Sequence, residues 1–171
     1  MVVQRRIPVI LGLLGLISCG SNTSSAPVST STSLDANATL VRTVDGDTID
    51  VKIGESTERV RLLGINTPES VKRNSPVECF GKEASKFAAG LLSEGTELHL
   101  ERDVEARDAY GRLLAYVYRL PDGMFVNLEL VRQGYAQTLT FPPNVTHADE
   151  FVEAARQAER ANLGLWGACG G

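Results

Sequence analysis

The stretch that decides the fold is residues 39–53, TLVRTVDGDTIDVKI. Residues 39–44 and 48–53 each alternate apolar and polar side chains, the period of a strand with one buried face. The Asp45-Gly46 pair between them is a tight-turn signal, so the two runs read as a hairpin. Residues 59–65 supply a third strand after a polar turn, giving a meander. Residues 96–101 alternate again, and residues 111–120 form a longer apolar strand that stops at Pro121-Asp122-Gly123.

Three segments change to helical spacing. Residues 83–93 place Ala84, Phe87, Ala88, Leu91 and Leu92 on one face, with Gly95 just beyond. Residues 126–133 form a short helix closed by Gly134. A third begins near Thr146, which pairs with Asp149 as a capping signal, carries Phe151, Ala154, Ala155 and Ala158 as its stripe, and stops at Gly164. Strands and helices do not alternate as repeated βαβ units, which disfavours a doubly wound sheet. The pattern predicts an α+β, mainly β domain: a five-stranded OB-fold Greek-key barrel with three packed α-helices, over residues 39–171.

The remaining residues read differently. Arg5 and Arg6 precede the apolar run 7–17, the layout of an export signal, and the run is too short for a membrane span of about 20 apolar residues. It ends at Leu16-Ile17-Ser18-Cys19, which resembles the cleavage box of bacterial lipoproteins. An ordinary cleaved signal and an uncleaved anchor are the alternatives. Residues 1–18 are thus expected to be a signal peptide, and Cys19 a lipidated first residue that attaches the exported chain to the outer face of a membrane. Residues 19–38 are expected to form a flexible tether, since nine of the nineteen residues from Gly20 to Ala38 are Ser or Thr.

The full chain has 17 Lys and Arg against 21 Asp and Glu, and removing residues 1–18 takes away two arginines and no acid. An acidic protein cannot hold a polyanion through a broad basic surface. Any such partner must meet a few focused cations.

Three constellations offer chemistry. Asp45-Gly46-Asp47-Thr48 sets two carboxylates around a glycine at a turn, which by itself also fits a plain hairpin. In residues 61–69, RLLGINTPE, an extended strand would put Arg61, Leu63 and Ile65 on one side and gather Asn66, Thr67 and Glu69 at its exit, where Pro68 stops the ladder. An exposed strand arginine beside an acidic loop is the plainer reading. In residues 107–112, RDAYGR, Arg112 stands at the mouth of an apolar strand and needs an anion, which a structural ion pair would also supply.

Together these blocks are similar to the staphylococcal nuclease (thermonuclease) family. The resemblance continues through Gly81-Lys82-Glu83-Ala84-Ser85, Leu130-Val131-Arg132-Gln133-Gly134, Asn144 with Thr146-His147, and Gly164-Leu165-Trp166. It implies calcium-dependent phosphodiester hydrolysis in DNA and RNA with little sequence preference. On the matching positions, Asp47, Asn66 and the Thr67 carbonyl would ligate Ca2+ with Asp45 in an outer role. Glu69 would be the general base, and Arg61 and Arg112 would hold the phosphate. Tyr110 would lie beside the nucleotide; apart from the resemblance, Lys72 and Arg73, in the loop after Glu69, are expected to add substrate contacts.

The chain departs from the family at four positions. Asn66 replaces an aspartate, which removes one formal negative charge and predicts weaker calcium binding. Ala109 stands where a lysine can occur, and Leu139 and Phe141 where tyrosines help grip substrate, which predicts weaker substrate binding. The alternative to an enzyme is a nucleic-acid-binding OB-fold lipoprotein with little catalysis. Joint retention of Arg61, Glu69 and Arg112 argues for the enzyme, because binding alone gives no reason to keep a carboxylate beside a polyanion.

Cys79 and Cys169 in an exported domain suggest a disulfide, worth up to about 4 kcal/mol on the chain-entropy account. Two free thiols are the alternative. Neither Cys-x-x-Cys nor His-x-x-x-His spacing occurs, which argues against zinc. His99 and His147 are expected to be structural. No motif points to a protein partner, and a monomer is expected.

Overall fold

The computed structural model describes residues 34–70 and 77–170. The segment 1–18, Cys19, Lys72 and Arg73 lie outside the described residues. Along the chain run β1 (Ala38–Thr43), β2 (Thr48–Ile53), β3 (Ser56–Leu62), β4 (Ile65–Asn66), α1 (Gly81–Leu91), β5 (Glu97–Glu101) and β6 (Leu113–Arg119). They are followed by β7 (Met124–Phe125), α2 (Val126–Arg132), β8 (Gln137–Thr138), α3 (Ala148–Arg160) and α4 (Leu165–Ala168).

β1 pairs antiparallel with β2 and β5, β2 with β3, and β5 with β6; β3 then meets β6 in parallel and closes a five-stranded barrel. Closure removes the exposed strand edges that an open sheet of this size would carry. Apolar residues of alternating positions fill the interior, among them Leu40, Ile49, Val51, Val60, Leu62 and Val117. On β2 the polar Asp50 is buried as well. Arg42 and Arg59, in register on the two neighbouring strands, lie 2.7 and 2.8 Å from its carboxylate and cover it.

The helices pack around the barrel by the stripes the spacing predicts. α1 buries Ala84 and Ala88, and α3 buries Phe151, Ala154 and Ala158. Phe87 of α1 stacks on Tyr135 at 3.9 Å between ring centroids. Asn127 of α2 is fully buried, with its amide oxygen accepting from Val117 N–H at 2.9 Å and its nitrogen donating to Leu63 O at 2.9 Å and Ala115 O at 3.3 Å. This one side chain ties α2 to β6 and to the chain leaving β3.

Several expectations need correction. The strand expected over residues 59–65 lies three residues earlier: β3 runs Ser56–Leu62, and Leu63-Gly64 turn the chain into β4, with Gly64 at φ +77 and Phe151 where a Cβ would go. Thr146 does not cap α3: His147 holds that position without a side-chain bond, and Thr146 N–H donates to Asp103 Oδ2 at 3.0 Å. Residues 37 and 38, expected as the end of a tether, are held on the barrel, since Ala38 opens β1, Asn37 N–H donates to Leu98 O and the Asn37 amide exchanges two hydrogen bonds with the Leu100 backbone. Two-residue strands such as β4, β7 and β8 carry too little pattern to be read from sequence.

Candidate active site

The turn between β1 and β2 is built by its own carboxylate. Asp45 Oδ1 accepts from Asp47 N–H at 3.0 Å, a side-chain mimic of a backbone turn. Asp47 O takes Leu62 N–H at 2.9 Å, which fixes the turn to the end of β3. Gly46 is required by space: a Cβ there would stand 2.6 Å from Thr67 Oγ1. That close approach lets Thr67 N–H donate to Asp47 Oδ2 at 2.9 Å.

Arg61 sits at the centre. Its NH1 donates to Leu62 O at 2.6 Å and Ile65 O at 2.9 Å, and its NH2 reaches Asn66 Oδ1 at 3.2 Å and Asp47 Oδ2 at 3.1 Å. Three hydrogen bonds and an ion pair thus engage both terminal nitrogens, and among the described residues nothing pairs with Nε–H. Burial pushes the Arg61 guanidinium below its ordinary value; Asp47 pulls it back up and Arg112 pushes it down again. It stays cationic at neutral pH.

Arg112 is held in a different manner. Asp108 Oδ1 accepts from the backbone N–H groups of Tyr110 and Arg112 at 2.9 Å each, while Oδ2 takes Arg112 Nε at 2.7 Å. The guanidinium carbon lies 5.7 Å from the centroid of the Tyr110 ring. Burial works to raise the Asp108 carboxyl, but the Arg112 and backbone hydrogen bonds outweigh it and hold the group below the usual carboxylate range. Arg112 is thus held through its Nε, and among the described residues its terminal nitrogens form no hydrogen bond. The structural ion pair that the sequence left as one alternative is therefore present.

Glu69 follows β4 by three residues. Its N–H donates to Glu78 Oε2 at 3.0 Å and its carbonyl accepts Glu78 N–H at 2.9 Å. Asp45, Asp47, Arg61, Asn66, Thr67, Glu69, Tyr110 and Arg112 all line one cleft of about 650 Å³, and Leu139 and Phe141 form part of its wall. Tyr110 is 87% exposed and Phe141 66%, so two aromatic faces stand open at the cleft. The structure brings together every described candidate of the carboxylate, amide and arginine set. Neither histidine lines the cleft: His99 Nδ1 faces Asp35 O and His147 Nδ1 faces Glu150.

The oxygen donors expected to serve a cation are the Asp45 and Asp47 carboxylates, the Asn66 amide and the Thr67 carbonyl, and these four residues line the cleft. Among the described residues no three His, Cys, Asp or Glu side chains group as a metal cage. Burial, and then the neighbouring Asp47 charge, raise the Asp45 carboxyl. A pair of crowded carboxylates beside neutral oxygens is chemistry that a hard cation suits, with water completing its shell.

Sequence reasoning assigned no role to Asp108 or Glu78, which bond the candidate residues Arg112 and Glu69, nor to Asn127, which ties α2 to the barrel behind them. The only signal for Asp108 was its place four residues before Arg112, since aspartate favours bonds to backbone N–H groups just ahead of it. Cys79 and Cys169 are joined as a disulfide with their Cα atoms 5.9 Å apart, bringing the end of α4 to the start of α1.

Residues 59–168 match the family described as staphylococcal nuclease homologue. The chain is 42% identical over 125 residues to a thermonuclease of Staphylococcus intermedius, covering 73% of each chain. It is 34% identical over 161 residues to a thermonuclease of Staphylococcus hyicus, covering 92% of this chain and 94% of that one. To the endonuclease YncB of Bacillus subtilis it is 40% identical over 136 residues, covering 78% of this chain and 63% of that one.

Proposed function

Because the chain belongs to the staphylococcal nuclease family, we propose that it is a calcium-dependent endonuclease that hydrolyses phosphodiester bonds of DNA and RNA with little sequence preference. The observation that carries this reading is the convergence of Arg61, Arg112 and Glu69 on one cleft with the Asp47 turn. Two cations held by internal partners, each with N–H donors left over, suit a phosphate. A carboxylate in the same cleft suits the removal of a proton from water.

In the proposed reaction Glu69 takes a proton from a water molecule whose oxygen forms the new bond to phosphorus. The bond from phosphorus to the leaving oxygen breaks, and solvent supplies that oxygen's proton. Arg61 Nε–H and the terminal nitrogens of Arg112 hydrogen-bond the phosphoryl oxygens as negative charge grows on them. Since internal acceptors fix both guanidiniums beforehand, little reorganisation accompanies the reaction. Asp47, Asn66 and the Thr67 carbonyl, with Asp45 behind them, would hold Ca2+. When bound, calcium supplies Lewis-acid polarisation of a phosphoryl oxygen. Tyr110 and Phe141 offer faces on which unpaired bases can stack without regard to sequence.

The leader at residues 1–18 and Cys19 support attachment outside the cell, and a disulfide fits an oxidising compartment. Cys19→Ser should release the chain from the membrane fraction. The enzymatic reading is tested by release of acid-soluble nucleotides from DNA and RNA. Release with calcium and none with a chelator supports it, whereas equal release, or none with calcium, overturns it.

A further inference from the structure

Glu69 leaves the barrel on a short connecting segment, so its position depends on what grips that segment. The backbone N–H and C=O of Glu69 both bond to Glu78, at 3.0 Å to its carboxylate and 2.9 Å from its N–H. Glu78 O in turn accepts Gly81 N–H at 3.0 Å, and Gly81 opens α1 so close beneath Glu69 that a Cβ there would collide with the Glu69 carbonyl. The next residue, Cys79, is bonded to Cys169, which is 90 positions further along the chain. The tail that carries Cys169 is itself docked, because Leu165 N–H donates to Gly134 O at 2.8 Å. On the other side Phe80, held at φ +66, places its ring 5.1 Å from Tyr135. A non-glycine residue in the left-handed region persists only where its surroundings hold it there. The turn 78–81 is therefore fixed by a covalent bond on one flank and by ring packing on the other, and Glu78 directs its N–H and its carboxylate to Glu69.

We propose that Glu78 is the positioning residue for Glu69, and that the Cys79–Cys169 disulfide completes the grip by anchoring the turn to the C-terminal tail. This rests on the reading of Glu69 as general base. Arg61 and Arg112 stand on β3 and on the loop before β6 and are positioned by Asp47 and Asp108. Loosening the turn should therefore disturb proton removal and leave phosphate binding intact. A disulfide that served stability alone would change the unfolding transition and neither kinetic constant of the folded enzyme.

The test is steady-state digestion of single-stranded DNA at saturating calcium, below the unfolding transition of each variant. Glu78→Ala should lower kcat about tenfold with KM within about twofold, as expected when a reacting group is misplaced by a fraction of an ångström. Glu78→Gln, whose amide oxygen can accept the same Glu69 N–H, should recover most of that loss. Cys79→Ser with Cys169→Ser should lower kcat about threefold, and adding Glu78→Ala should bring it no lower than Glu78→Ala alone, because both act on one turn. Unchanged kcat in Glu78→Ala or in the variant without the disulfide, a rise in KM at constant kcat, or losses that multiply would each overturn the proposal. Glu69→Gln is measured beside them. If it is inactive while Glu78→Ala is fully active, the positioning fails and the base stands. If Glu69→Gln is as active as wild type, the base reading itself fails.

Discussion

The Arg61 guanidinium lies 3.1 Å from the Asp47 carboxylate, and the two side chains are only 13% and 10% exposed. A cation so enclosed is stable because every acceptor around it is used: two backbone carbonyls, an amide and this carboxylate. Removing one partner of such a pair leaves the other charge buried. Asp47→Ala should therefore cost about 3 kcal/mol of folding stability in urea unfolding, in addition to its effect on activity. A loss well under about 1 kcal/mol, the range of exposed pairs, would show that Arg61 does not depend on Asp47.

Asn66 gives the same site an amide oxygen where an aspartate would add charge. Asn66→Asp should tighten calcium binding about tenfold in isothermal titration, since affinity at oxygen sites follows ligand charge. The Arg61 contact survives the change because either side chain accepts from NH2. Unchanged or weaker affinity would remove Asn66 from the set of calcium ligands.

Gly46 tests how closely the turn and Thr67 must approach. Adding a methyl group by Gly46→Ala places carbon 2.6 Å from Thr67 Oγ1, so Thr67 must move away from Asp47. The expected result is a fall in kcat/KM of about tenfold or more at saturating calcium. Wild-type kinetics in the folded variant would show that the contact is dispensable.

Asp50 links acid stability to the barrel wall. The Arg59 hydrogen bond, working against burial and helped by Arg42, holds its carboxyl below the ordinary value. A depressed carboxyl contributes stability that is fully present above the unfolded value of about 3.9 and disappears as pH falls through the lower folded value. Asp50→Asn should be less stable than wild type at neutral pH, with the gap closing as pH falls below about 4. A pH-independent gap would assign the loss to packing.

The barrel was legible because its signals are local. Residues 48–53 gave β2 to the residue, and the stripes of α1 and α3 named the side chains that the structure buries. β3 was read three residues late, since an alternating pattern does not show that Phe151, almost ninety positions later, occupies the space beside Gly64. The candidate site was legible where residue types cluster along the chain, in residues 45–48 and 61–69. Glu78 and Asn127 were not, because each acts by hydrogen bonds to backbone atoms that become neighbours only after folding, and Asp108 was passed over because its local backbone bonds leave no mark in residue type that ties them to Arg112.

The account turns on Glu69 as the group that removes the proton from water. Single-turnover cleavage of a labelled single-stranded oligonucleotide by Glu69→Gln, with binding followed separately in calcium, tests it most directly. The account predicts a fall in the cleavage rate of about 10²–10⁴-fold with affinity little changed. Cleavage within a few-fold of wild type, at equal affinity, would contradict it.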